Sequence, residues 1–359
     1  MVPTPCDTTA AVPPPAYQRA LAKRGPALHI DALLLVQRLH LLALCRLAVQ
    51  RSQQQCPPPL PKGPGGAPRV YGAESLLLIA LLRTLWRLGY QEMHDWLVAW
   101  PALAVACGLP SGPEGVVRVP SPSQMCKRAA QAGAPPYELL FVLAVRQALR
   151  RGVIRARDLI IDSAPLKAWR RADPDAQVGH APAHHPLRFL HGYRVHTLLC
   201  RASGLPLFFR LAPANGHDAP FALPLLRTAV TLYHLHPRVI RLDAAYWGLA
   251  LIAWIHTALG ATAVIPFNPK RTKNRSCLAP TWTRAELAKR RAIERFFGRL
   301  FRVFPLQRPP LAGWTALTQA VALTFTATII VALAAHQAGR PDLIRSPRRV
   351  LAHSWEGIL

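Results

Sequence analysis

Acidic residues are scarce in this chain, which has 17 Asp and Glu against 44 Lys and Arg in 359 residues and a formal net charge of +27. An excess of this size indicates a polyanionic partner, and nucleic acid is the usual one. The positive charge is spread along the chain, so a basic tail alone does not explain it. The chain is 51% hydrophobic, which excludes disorder throughout. A compositional preference for Arg, Ala, Pro and Leu is the plain alternative, but it does not explain the missing acids.

Paired cysteines are also lacking. The chain has seven, an odd number, and none form a C-x-x-C pair. This pattern predicts reduced thiols, with no disulfide framework and no cysteine-based zinc site.

His180, His184, His185 and His191 have loop spacing and no cysteine partner, which favours a polar loop over zinc. The first residues lack the features of a signal peptide, and we expect a cytoplasmic, nucleoid-associated protein.

Two apolar segments have the composition of possible membrane spans. The first, at 33–49, is interrupted by Gln37, Arg38, His40 and Arg46. The second, at 315–336, is long enough to cross a bilayer, but its five threonines and one glutamine lower its hydropathy. We predict that it is a buried helix packed on a sheet.

The chain divides by composition into five predicted regions. An N-terminal arm and helix occupy 1–56, with the helix at about 30–51, and a Pro/Gly linker follows at 57–69. Residues 70–150 are predicted to be helical and could form either a helix-turn-helix-like DNA-binding module or a plain bundle for dimer contacts. An α/β domain is predicted at 151–338 and a basic tail at 339–359.

The pattern changes near residue 158, where short apolar runs typical of strands begin. Strands are predicted at 159–161, 193–201, 205–212, 239–242 and 263–267. Helices are predicted at 221–234, 247–259, 282–304 and 315–336. This element order is that of a ribonuclease-H-like α/β fold, a mixed sheet flanked by helices, here preceded by a mostly α-helical N-terminal region.

Three acids stand out in a chain that avoids them. Asp162 and Asp243 each follow a predicted buried strand, and Glu294 lies in a basic predicted helix. Ligands of open α/β sheets usually bind at such strand ends. Mg²⁺ prefers oxygen ligands, and two ions held by a few carboxylates can perform in-line phosphoryl transfer. We therefore predict that these three residues are both catalytic and metal ligands for two Mg²⁺, with Mn²⁺ as a substitute; Asp158 and Glu286 are the alternative acids.

Basic side chains surround the predicted helical glutamate. Several of them share a helix face with Glu294 and could contact the phosphates of the strand being cut. The predicted DNA-binding residues are Arg290, Arg291, Arg295, Arg299, Arg302 and, beside Asp243, Tyr246. A solvated basic helix face is the alternative.

Five motifs in order carry a family resemblance. They are 191–196 (His-Gly-Tyr-Arg-Val-His), 204–207 (Gly-Leu-Pro-Leu), 213–218 (Pro-Ala-Asn-Gly-His-Asp), 243–246 (Asp-Ala-Ala-Tyr) and 293–300 (Ile-Glu-Arg-Phe-Phe-Gly-Arg-Leu). Over about 155–335 the chain resembles the DDE transposases of bacterial insertion sequences, in the class with a Tyr-Arg-Glu-Lys signature. The resemblance implies a ribonuclease-H-like catalytic domain that cuts and rejoins double-stranded DNA at element ends with two Mg²⁺. It also implies a homodimer in the active complex.

By the same resemblance, Asp162, Asp243 and Glu294 correspond to the two aspartates and the glutamate of the family. The signature has Tyr seven residues before the glutamate, Arg four before it and Lys seven after it. Leu287, Arg290 and Phe301 stand at those positions here, so only the arginine matches. A catalytically inactive DNA-binding relic and a metal-dependent nuclease without strand transfer therefore remain as alternatives to a transposase.

Overall fold

The computed structural model describes residues 26–55, 70–112, 114–180, 188–266 and 284–352. Its N-terminal part is helical. The helices are α1 (Ala32–Arg38), α2 (Leu41–Gln55), α3 (Ala73–Trp86), α4 (Tyr90–Ala99), α5 (Pro101–Ala106), α6 (Pro122–Ala132) and α7 (Pro135–Arg150). Local signals set several starts: Asp31 caps α1, and Ser121 with Gln124 forms a capping box on α6.

The predicted single helix at 30–51 is two helices. The axes of α1 and α2 differ by 62°. The break lies at His40, whose φ of 50° is in the left-handed region and cannot continue a right-handed helix. Asp31 caps the start of this short first helix, and Gln37 and Arg38 are its last two residues. The segment is therefore a helical corner within the bundle rather than one straight element.

The sheet of the described residues has six strands. They are β1 (Asp158–Lys167), β2 (Gln177–His180), β3 (Phe189–Cys200), β4 (Leu205–Pro213), β5 (Val239–Arg241) and β6 (Thr262–Val264). The order is β2-β3-β1-β5-β6, with β4 also paired to β3. β3 runs antiparallel to β1, β2 and β4, whereas β5 is parallel to β1 and to β6. The sheet is therefore mixed.

Helices α8 (Ala219–Tyr233), α9 (Leu249–Leu259), α10 (Arg284–Ala288) and α11 (Arg291–Val303) accompany the sheet. The predicted helix at 282–304 differs from the structure, because a turn at Lys289–Arg290 separates α10 from α11. β2 was not predicted; it falls in the polar segment 170–191 and has no alternating pattern to reveal it. Residues 181–187, which include His184 and His185, lie outside the described residues.

One long apolar helix, α12 (Trp314–Gln337), joins the helical region to the sheet. It is long and apolar enough to cross a membrane, as is the bent pair α1–α2 if taken as one span, but most of α12 is buried inside the protein. Phe325 on α12 packs against Phe141 of α7, Phe209 of β4 and Phe296 of α11, with ring centroids 5.9, 5.4 and 5.5 Å away. This agrees with the prediction of a buried helix packed on a sheet.

The chain after α12 returns to the helical region. A short 3₁₀ helix (Pro341–Leu343) and α13 (Pro347–Val350) follow, and Leu351 then forms a parallel bridge with Ile30. The indole nitrogen of Trp86 donates to the carbonyl of Ala352 at 2.8 Å. With these elements, the predicted class, an α/β fold with a mixed sheet flanked by helices after a helical N-terminal region, is confirmed.

Candidate functional site

Two aspartates meet on neighbouring strands of the sheet. The prediction that a strand ends at Ile161 was wrong: Asp162 lies within β1, which continues to Lys167, whereas Asp243 lies two residues beyond the end of β5. The apolar residues Leu159, Ile160 and Ile161 are fully buried in β1, and Asp162 follows them with its side chain 19% exposed. β5 lies parallel to β1 with Ile160 opposite Arg241, so Asp162 and Asp243 each come two residues beyond this pair. Because β1 and β5 are in parallel register, Asp162 and Asp243 lie at the same level along the two strands, and both carboxylates approach Arg290.

Local hydrogen bonds orient both carboxylates. Oδ1 of Asp162 accepts from the amide of Ser163 at 2.8 Å. Oδ1 of Asp243 accepts from the amide of Ala245 at 2.8 Å and so caps a 3₁₀ turn at Ala244–Tyr246. In each carboxylate the other oxygen, Oδ2, faces Arg290. The backbone therefore holds one oxygen of each acid and leaves the second for a cation.

Arg290 lies between the two acids. One guanidinium nitrogen is 3.1 Å from Oδ2 of Asp162 and 3.9 Å from Oδ2 of Asp243. Burial raises the pKa of Asp162 from 3.8 to about 6; Arg290 opposes this rise and the negative charge of Asp243 adds to it. Two carboxylates that are partly withdrawn from water need a cation between them, and in this structure Arg290 supplies the charge.

A third carboxylate, Asp218, lies near the pair and was not among the predicted site residues. Its Oδ1 accepts from Oγ of Ser163 at 3.2 Å and lies 3.6 Å from Arg194. Burial raises the pKa of Asp218, Arg194 lowers it, and Asp243 raises it again. Asp218 directly precedes α8, but its side chain makes no capping hydrogen bond to that helix and faces Ser163 and Arg194 instead.

His196 and Tyr246 form a buried polar contact beneath these acids. His196 Nδ1 and the phenol oxygen of Tyr246 are 2.9 Å apart, and the imidazole stacks on Phe221 with centroids 4.4 Å apart. Burial lowers the pKa of His196 to about 3, so the ring is neutral. Tyr246 is only 1% exposed. Its phenol therefore lies in the interior, away from the surface where a phosphate contact needs it.

Glu294 is exposed on the first turn of α11. No group of three His, Cys, Asp or Glu side chains within the described ranges is arranged to hold a metal ion. The structure thus brings together Asp162, Asp243 and Arg290, but not Glu294. Two carboxylates fit a single hard cation that retains several waters, because Mg²⁺ is often held by only one or two carboxylates.

The two alternative acids belong to a separate ion network. Asp158, at the start of β1, pairs with Arg201 and with the buried guanidinium of Arg241. Arg241 also pairs with Glu286 of α10, which in turn pairs with Lys289. Both acids therefore neutralise a buried arginine that joins β1, β5 and α10, and neither is free to bind a metal.

The remaining predicted DNA-binding arginines lie along α11. Its apolar side, with Ile293, Phe296, Phe297 and Leu300, is buried against the domain. Arg291, Arg295 and Arg302 are exposed, whereas Arg299 is partly buried and donates to the carbonyl of Gly204 at 3.4 Å. One basic surface therefore leads from the aspartate pair along the helix.

Comparison with known proteins adds a family to this geometry. Residues 155–330 match the family described as "Transposase DDE domain". This region of the chain belongs to the DDE transposase family. No curated protein matches it. Among solved structures, a cryo-EM structure of the piggyBac transposase synaptic complex with hairpin DNA aligns with a TM-score of 0.44 and 9% identity, covering 88% of this chain and 79% of that one. The matched family region of this transposase contains Asp162, Asp243 and Glu294.

Proposed function

We propose that this transposase cleaves phosphodiesters at the ends of an insertion sequence and joins them to target DNA by two-metal phosphoryl transfer. The observation that carries the proposal is that Asp162, within β1, and Asp243, just beyond the parallel strand β5, lie on either side of one cation, Arg290. Glu294 is the third proposed ligand, and two Mg²⁺ ions, or Mn²⁺ in their place, are the proposed cofactors. The strand order supports a ribonuclease-H-like catalytic domain.

The chain's own residues have separable roles in this proposal. Asp162 and Asp243 bind the metal through the oxygens that now face Arg290. When bound, the metal supplies an activated oxygen nucleophile and neutralises charge on the leaving oxygen. Arg290 neutralises the two carboxylates in this structure, and its guanidinium could also pair with a substrate phosphate.

Glu294 requires a change in the first turn of α11. Its carboxylate lies on the exposed first turn of α11, one turn of helix beyond Arg290. The two-residue turn at Lys289–Arg290 separates α11 from α10, which Arg241 ties to the sheet. We propose that only the first turn of α11 rearranges when DNA binds, so that Glu294 can join the two aspartates while Phe296 and Arg299 keep their present contacts.

The division into regions remains part of the proposal. The arm and helix at 1–56, the linker at 57–69, the helical DNA-binding or dimerisation region at 70–150, the catalytic domain at 151–338 and the tail at 339–359 are its parts. Double-stranded DNA, both element ends and target, is the proposed partner, and a homodimer that holds two ends is the proposed active complex in the nucleoid. Arg290, Arg291, Arg295, Arg299 and Arg302 are the proposed phosphate contacts.

A relic that binds DNA without cutting it is the second candidate. The observation that favours it is Phe301, which stands where the family signature has a lysine and stacks on Phe297 with centroids 6.0 Å apart. An aromatic ring packed in this way cannot replace an ammonium group at a phosphate. Leu287 likewise lacks the hydroxyl of the signature tyrosine.

Cleavage of DNA that carries the gene's own flanking ends tests the proposal. We expect Asp162→Asn, Asp243→Asn and Glu294→Gln each to abolish Mg²⁺-dependent cutting while DNA binding survives. Glu286→Gln is the matched control, because it removes an acid eight residues earlier that has a structural partner. Joined products identify a transposase; cut but unjoined DNA identifies a nuclease. If Glu294→Gln still cuts, the assignment of the third ligand is wrong.

A further inference from the structure

Several arginines converge where α11 meets the turn between β3 and β4. Arg299 donates from Nη2 to the carbonyl of Gly204 at 3.4 Å. Arg345, from the segment after α12, donates from Nε to the carbonyl of Ser203 at 2.6 Å and from Nη2 to that of Ala202. The turn thus anchors two guanidinium groups from distant parts of the chain, and each keeps unused N–H donors.

Gly204 brings these two groups close together. A Cβ atom at this position would lie 3.1 Å from Nε of Arg345 and 3.4 Å from Nη2 of Arg299. The φ of 65° also favours glycine. The residue therefore serves both the tight turn and the approach of the two side chains, which line a small cavity of about 30 Å³.

The positive charge at this place is not neutralised by the protein. Within the described ranges, neither Arg299 nor Arg345 forms an ion pair with a carboxylate. Burial, together with the charges of Arg345, Arg295 and Arg302, lowers the pKa of Arg299 to about 10. Like charges gathered on a partly desolvated surface are unfavourable by themselves and become favourable when an anion joins them.

The position of these arginines relative to the aspartates suggests the anion. Arg290 and Arg299 are nine residues apart on or beside α11, which corresponds to about 13 Å of helix. At roughly 3.4 Å of rise per nucleotide, this distance spans about four nucleotides of a DNA strand. A DNA strand cut at the aspartates and laid along α11 therefore passes the turn between β3 and β4.

We propose that Arg299 and Arg345 together bind one phosphate of the DNA backbone, about four nucleotides from the scissile phosphate. This inference rests on the proposed function for the position of the cut, but the site itself needs only duplex DNA. Arg345 lies beyond the family match at 155–330, so the segment after α12 completes the substrate surface. Two planar guanidinium groups suit a phosphate because each can donate two parallel hydrogen bonds.

The salt dependence of duplex binding tests the site. Fluorescence anisotropy of a labelled duplex is measured with the full chain between about 50 and 200 mM KCl. Removing one phosphate contact lowers the slope of log K against log salt by about 0.9. We expect that decrease in Arg299→Gln, in Arg345→Gln and, without further loss, in the double variant, because both side chains serve one phosphate. Affinity falls roughly tenfold.

Two further variants control for folding and for charge in general. Arg340→Gln lies in the same segment, but its guanidinium is already paired with Asp342, so its slope should equal that of the wild type. Arg345→Lys keeps the charge and should keep the slope while binding more weakly. Unchanged slopes in Arg299→Gln and Arg345→Gln would overturn the proposal, as would equal losses in Arg340→Gln.

Two outcomes separate this inference from the proposed function. Reduced slopes in a chain that never cuts DNA would support the phosphate site and count against the transposase chemistry. Cutting that depends on Asp243, together with unchanged slopes, would support the transposase chemistry and overturn the phosphate site. Adding inorganic phosphate at constant ionic strength identifies the source of the anion: if it abolishes the difference between wild type and Arg345→Gln, the site takes free phosphate and the DNA assignment is wrong.

Discussion

Replacing Asp162 with Asn removes a carboxylate that is unfavourable when ionised in the metal-free protein. Burial raises its pKa from 3.8 to about 6, a change of roughly two pH units. At about 1.36 kcal/mol per unit, this is at most about 3 kcal/mol of lost stability once the group is ionised. Since the side chain is 19% exposed and water screens part of the effect, we expect about 1–3 kcal/mol.

The pH dependence follows from the sign of the shift. The carboxyl group loses its proton near pH 4 when the chain is unfolded and near pH 6 when it is folded. Between these values the folded state binds more protons than the unfolded state. The contribution of Asp162 to stability is therefore greatest below pH 4 and is lost as the pH rises through 6. Asp162→Asn lacks this pH dependence. The difference in free energy of unfolding between the variant and the wild type should therefore be about 1–3 kcal/mol more favourable to the variant at pH 7.5 than at pH 4.

Urea denaturation in EDTA, at several pH values between 4 and 7.5, measures this difference. Asp158→Asn is the matched control: that acid pairs with Arg201 and the buried Arg241, so its loss should destabilise the protein at both ends of the range. If the wild type keeps a constant free energy of unfolding across the range, or if Asp162→Asn gains nothing at pH 7.5, the burial argument for Asp162 is refuted.

Three further predictions concern the fold that carries the site, and the same denaturation assay checks each. Arg241→Leu leaves Asp158 without one partner and should lower the free energy of unfolding by about 2–4 kcal/mol; a neutral result would mean that the ion network contributes nothing. Phe325→Ala removes the ring shared by helices and sheet and should reduce stability by about 3–5 kcal/mol, whereas Phe325→Leu should reduce it much less. Gly192→Ala would put a Cβ 2.1 Å from the carbonyl oxygen of Leu166, so we expect little folded protein; a normally folded variant would contradict the close approach of β3 to β1.

The two aspartates that follow apolar runs were the part of the site most readily predicted from sequence, although β1 continues past Asp162. A run of apolar residues followed by an acid is a local signal, and Asp162 and Asp243 both give it. Their adjacency depends only on β1 and β5 being parallel neighbours, which the element order already favours. The two acids could therefore be paired before any coordinates were known.

Contacts between distant segments could not be predicted in this way. Arg345 meets Arg299 only because the chain after α12 returns to the turn between β3 and β4, and no local pattern indicates that return. Arg241 has the sequence appearance of a strand-end cation, yet it is buried between Asp158 and Glu286. Long-range ion pairs of this kind have no periodic signature in the sequence.

Backbone breaks were a second source of difference. The apolar pattern continues through His40 and through Lys289–Arg290, so periodicity alone predicts uninterrupted helices there. At His40 the left-handed backbone conformation interrupts the first pair of helices. At Lys289–Arg290 the break follows α10, which the ion pair between Glu286 and Arg241 ties to the sheet. The second break matters most for function, because it decides where Glu294 lies.

We propose above all that Asp162 and Asp243 hold the metal with which the protein cuts DNA. The most direct measurement is cleavage of DNA carrying the flanking ends by the wild type and by Asp243→Asn, each in Mg²⁺ and in EDTA. We expect the wild type to cut in Mg²⁺ but not in EDTA and the variant to cut in neither, with equal DNA binding by both. Mg²⁺-dependent cutting by Asp243→Asn at the wild-type rate would contradict it.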